Sequence, residues 1–110
     1  MTYDDFVKIA LEHPGTVEEV GKNGPYVNRA RRSMFWLKRW ELLCAKVDWA
    51  NHDRLLDEHP NVIYKTQHFH TYPAVHVNLD LLTPELAQEL IQICWDDAPN
   101  KVKFRREPKD

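Results

Sequence analysis

Long apolar runs are missing from this sequence. No stretch approaches the roughly 20 residues that a membrane-spanning helix requires, which excludes a helical membrane anchor within it. The opening stretch MTYDDFVKIALEHPG carries acids where a secretion signal carries basic residues, and no unbroken apolar core follows, so the expected compartment is the cytoplasm. Cysteine is scarce: Cys44 and Cys94 have no CxxC partner, which predicts reduced thiols rather than a disulfide framework. A glycine-rich phosphate loop, a nucleophile elbow and paired carboxylates at short fixed spacing are also lacking. The expectation is a protein that acts by binding, is not an enzyme and takes no cofactor.

One further absence is local. Between Gly21 and Trp40 there is no acidic residue, while Lys22, Arg29, Arg31, Arg32, Lys38 and Arg39 bring the stretch to +6. The last ten residues carry +3 and the remainder of the 110-residue chain −11, for a net charge of −2. Such segregation predicts one positive and one negative face.

The stretch Ser33 to Val47, SMFWLKRWELLCAKV, organises the rest. Apolar residues alternate on either side of Arg39–Glu41, as in two strands joined by a tight turn. Phe35, Leu37, Leu43, Ala45 and Val47 form one row, which requires a core beneath it. Met34, Trp36, Lys38, Trp40, Leu42, Cys44 and Lys46 form the other. Side chains alternate across a strand, so a two-layer domain buries only one of these rows. Tryptophans interleaved with lysines on the second row read as a binding surface.

Around this hairpin the chain reads as one α+β domain over residues 1–100, followed by a basic tail over 101–110 that is expected to fray. Thr2 and Asp5 predict a capping box for a helix over residues 3–12, which His13–Pro14–Gly15 ends. Two short strands flank Asn23–Gly24, a pair that favours a type I′ turn with positive φ at both positions. Asp48 caps a helix over about 49–58, His59–Pro60 stops it, and Val62–Tyr64 begins a strand. Lys65 to Pro73 reads as a loop or strand edge. Ala74 to Asp80 alternates with Val75, Val77 and Leu79 inward, and Thr83–Pro84 starts a last helix that runs to about Asp97. The expected fold is therefore two-layer α+β with element order α-β(3-4)-α-β(2)-α. An antiparallel sheet carries three helices on one face and leaves the other open.

Four kinds of site come into question around that open face. Lys22, Arg29, Arg31, Arg32, Lys38, Arg39 and Lys46 are candidate phosphate contacts, with Trp36 and Trp40 as stacking platforms for DNA. The same Trp36/Trp40 face suits a second copy of the chain or a protein partner. His68, His70 and His76 lie close in sequence, but metal sites need three or four ligands with a supporting shell, so they read as polar loop histidines. Cys44 has Lys46 two positions away, and a nearby ammonium lowers a thiol pKa.

Several of these pieces, in order, resemble the MmcQ/YjbR family. They are Pro14–Gly15 with Glu18–Glu19, then Met34–Phe35 with Leu37, Leu43 with Lys46, His68, and finally Val77, Leu79 and Asp80 ahead of the last helix. The chain departs from the family at Ser33, where a basic residue is usual, and at Pro73–Ala74, where a tryptophan is frequent. The resemblance implies a double-wing fold akin to frataxin and secretion chaperones, a DNA-binding role, and no catalytic residue.

Overall fold

Thr2 caps the first helix in the computed structural model, which describes residues 1–106 and omits the side chain of Trp40. The Thr2 hydroxyl accepts from the Asp5 amide, and the Asp5 carboxylate accepts from the Thr2 amide, both at 3.1 Å. Helix α1 (Tyr3–Leu11) follows and turns Phe6, Val7 and Ala10 inward. Helix α2 (Trp49–Glu58) has Asp48 accepting from the Asn51 amide. Helix α3 (Pro84–Asp97) has Thr83 as its cap and Pro84 at the first position, where a missing N–H leaves no partner unpaired.

Six strands form one antiparallel sheet: β1 (Thr16–Gly21), β2 (Gly24–Arg29), β3 (Arg32–Lys38), β4 (Leu42–Lys46), β5 (Ile63–Tyr64) and β6 (Ala74–Val77). Their spatial order is β1-β2-β3-β4-β6-β5. Helices α1 and α3 lie against β1, β3 and β4, and α2 lies beside α3 over β5 and β6, tied to it by an Arg54–Glu89 ion pair of 2.9 Å. This is the expected two-layer α+β architecture. Phe35, Leu43, Ala45 and Val47 all enter the core between the layers, and the Phe6 ring meets the Phe35 ring edge-on at 4.7 Å. Complete burial of such a ring contributes about 1.5–3 kcal/mol.

Four local expectations are corrected. Met34 is fully buried in the helix-side core and does not face outward. The β2–β3 register shifts between Val27 and Asn28, so that Val27 pairs with Phe35 and Asn28 with Ser33, and the extra residue Met34 turns inward. The β1–β2 turn centres on Lys22–Asn23, one residue earlier than Asn23–Gly24. Gly24 opens β2 with φ +120°, and a Cβ there would stand 2.7 Å from the Leu37 carbonyl oxygen. The paired positive φ values occur instead at Ala30 (53°) and Arg31 (63°), between β2 and β3. A non-glycine residue costs about 1–2 kcal/mol in that region.

The third correction concerns the sheet face opposite the helices. Residues 65–73 form the expected loop, but that loop folds across the face expected to be open, with a 3-10 turn over Gln67–His70 and Phe69 fully buried. The fourth concerns the tail. Residues 101–106 are not frayed. The Arg105 amide donates to the Thr71 carbonyl at 2.9 Å, and Trp49 Nε1 donates to the Lys103 carbonyl at 2.7 Å. Residues 107–110 of the expected tail lie outside the described residues.

Candidate nucleic-acid interface

The strand registers align Glu19, Tyr26, Trp36, Cys44, His76 and Tyr64 in one row across the outer face. Alternation puts Trp36 there, because its neighbour Phe35 is committed to the core. Phe69 covers the middle of the row. Its ring stacks on His76 at 4.6 Å between centroids, and Cys44 and Ala74 are buried beneath it. The turn is held from the helix side by His52, whose Nε2 lies 3.0 Å from the Phe69 carbonyl oxygen.

Trp36, at the margin of this cover, is half-buried and meets the Tyr72 ring edge-on at 6.5 Å. Two clefts flank it. One, of about 360 Å³, includes Lys22, Asn23, Tyr26 and Trp36. The other, of about 510 Å³, is lined by Asn23, Trp36, Lys38, Arg39 and Leu42. Neither lining contains a carboxylate. Lys22, Lys38 and Arg39 are exposed and, among the described residues, form no ion pair.

The other basic candidates are placed elsewhere. Arg31 and Arg32 are exposed at the β2–β3 turn, the opposite end of β3 from Lys38. Six residue steps separate Arg32 from Lys38, roughly 20 Å along an extended strand. Arg29 is turned to the helix side, where its guanidinium lies 3.5 Å from the Trp95 ring centroid and donates to the Trp95 carbonyl at 2.6 Å. Lys46 is buried, and its ammonium donates to Asp97 Oδ2 at 2.6 Å. Both cations are consumed by the fold's own contacts and are corrected as phosphate contacts. The backbone of Trp40 lies in the 3-10 turn Arg39–Glu41, and its side chain is outside the description.

The thiol chemistry is also reversed. Burial pushes the Cys44 thiol up to about 11, against the opposing pull of Lys38, and Lys46 is drawn away to Asp97. Burial, with help from Lys38 and His68, lowers the pKa of His76. The three loop histidines diverge: His76 is buried, His70 is half-buried, and exposed His68 stacks on Tyr72 at 5.6 Å. Among the described residues no three His, Cys, Asp or Glu side chains are grouped to hold a metal ion.

Two contacts on this face had no sequence signal. Cys44 and His76 are brought together from different strands, and Phe104 of the tail meets Tyr72 edge-on at 5.7 Å. Tyr72 and Phe104 were visible only as aromatics in polar and basic surroundings.

No helix among the described residues is long and apolar enough to cross a membrane. Comparison of the chain with family models, curated proteins and solved structures gave no match.

Proposed function

We propose that this chain is a DNA-binding domain of the MmcQ/YjbR type, gripping its ligand around Trp36 on the outer sheet face. One observation carries the reading. Two adjoining clefts share the Trp36 side chain, are rimmed by Lys22, Lys38 and Arg39, and have no acid in their linings. An indole offers a stacking surface, and unpaired ammonium and guanidinium groups beside it neutralise phosphates. The chain's net charge of −2 repels DNA elsewhere, so the attraction is confined to the end of the sheet where Lys22, Lys38 and Arg39 stand.

The test is fluorescence anisotropy of labelled oligonucleotides across a salt series. Replacing Lys22, Lys38 and Arg39 together by Ala is expected to weaken binding and to flatten the log K against log salt slope by about 2–3, close to one for each phosphate that is no longer neutralised. The Arg31→Ala/Arg32→Ala pair then reports whether the footprint reaches the far end of β3. Absence of binding to single- and double-stranded DNA at low salt overturns the reading. A sizing column distinguishes the competing occupant of this face, a second copy of the chain, which would elute as a dimer.

A further inference from the structure

Phe104 is 73% exposed, yet the chain on both sides of it is pinned. On one side the Lys103 carbonyl accepts from Trp49 Nε1 at 2.7 Å. On the other, the Arg105 guanidinium makes a two-pronged contact with Asp53 at 2.8 and 3.0 Å and lies 3.9 Å from the Trp49 ring centroid. The Arg105 amide donates to the Thr71 carbonyl. These contacts hold a large apolar ring in water at a defined place, against the edge of the Tyr72 system. Tyr72 in turn meets Trp36, so three rings from three separate segments stand in a row across the outer face: Trp36 of β3, Tyr72 of the covering loop, and Phe104 of the tail.

Charge follows the row. Lys22, Lys38 and Arg39 lie at its Trp36 end, while exposed Lys103 and Arg106 flank Phe104. Of the nearby carboxylates among the described residues, Asp53 is occupied by Arg105, Glu19 is engaged by Tyr26 and Asn28 on the far side of Trp36 from Tyr72, and Glu41 and Asp80 line a separate cleft beyond Leu42.

We infer that this row is a track for a single DNA strand, with bases set against Trp36, Tyr72 and Phe104 and phosphates running between the two basic ends. The inference rests on the DNA-binding reading and adds to it the strandedness and the part played by the tail. A duplex keeps its base faces stacked on one another and presents only phosphates and groove edges. An unpaired strand exposes the faces that aromatic side chains hold, whatever the base. Exposed rings are therefore useful to an unpaired strand, and cations alone are sufficient for a duplex.

The experiment compares one labelled oligonucleotide, single-stranded and as its blunt duplex, against the native chain, Phe104→Ala and Lys38→Ala. Phe104 touches little of the fold, so its variant is expected to keep the native melting temperature. The native chain should prefer the single strand. Phe104→Ala should weaken single-strand binding about fivefold or more with an unchanged salt slope, because stacking releases no counterion. Lys38→Ala should lower the slope. If the duplex binds as tightly as the single strand, or Phe104→Ala stays within about twofold of native, a size below one stacked base, the track is overturned while the DNA-binding reading stands. If the native chain binds neither form, both fall together.

Discussion

Cys44 Sγ stands 3.4 Å from His76 Nδ1, and Thr66 Oγ1 lies 3.1 Å from the other nitrogen of the same ring. A thiol beside an imidazole that is itself held by a hydroxyl has the connectivity of a nucleophilic site. Burial gives it the opposite character. With the thiol pushed up to about 11 and the imidazole pKa lowered, both groups are neutral near pH 7. The pair then reads as a hydrogen bond between two neutral groups, with Thr66 bonded to the other ring nitrogen.

Thiol labelling checks this. The rise from 9.0 to about 11 lowers the thiolate population of Cys44 about a hundredfold at mildly alkaline pH. Cys94 is completely buried beside Asp97, and its thiol is raised further. An alkylating reagent should therefore modify both cysteines in denaturant and label the native chain about a hundred times more slowly. Native labelling of Cys44 at the denatured rate would mean that Phe69 does not shield it.

The Lys46–Asp97 pair ties the end of β4 to the last residue of α3, where the helix dipole also favours a cation. The Lys46 side chain is 4% exposed and that of Asp97 12%, so the two halves are not equivalent. Asp97→Asn leaves a buried ammonium without its counter-charge and is expected to cost about 3 kcal/mol or more in urea unfolding. Lys46→Met leaves a carboxylate that still reaches water and should cost distinctly less. The reverse ranking would show that the ammonium has another partner.

Adjacent residues on opposite faces provide the third test. Phe35→Ala opens a cavity between the layers and should cost about 3–5 kcal/mol. Trp36 is half-exposed and belongs to the small outer cluster, so Trp36→Ala should cost roughly 1 kcal/mol, a value ordinary for a partly exposed site. It should nonetheless weaken DNA binding by about 1–3 kcal/mol, the size of one stacked base. Equal destabilisation by the two substitutions would mean that the indole packs into the fold as deeply as the phenyl ring.

The helices and most of the central hairpin were legible because their signals are local. Caps, proline stops and period-two alternation depend on neighbours a few residues away, and Thr2, Asp48, Thr83, Phe35 and Trp36 all stand where those rules put them. Met34 escaped the rule because its face depends on a register shift, and register belongs to a pair of strands rather than to either one. Lys22, Lys38 and Arg39 read as free cations, and among the described residues they form no ion pair. Arg29 and Lys46 have the same chemistry, but their partners Trp95 and Asp97 lie 66 and 51 residues away along the chain.

By itself, then, the sequence determined which segments become helix and strand and, except at the bulged Met34, which of two faces the central hairpin residues take, since sterics and hydrophobic period act over a few residues. The tertiary structure decided what lies on top of those faces: Phe69 closing over Cys44 and His76, and Arg105 anchoring the tail so that Phe104 stands beside Tyr72. Those contacts form only when distant segments are brought together by a common core, and no local pattern encodes the meeting.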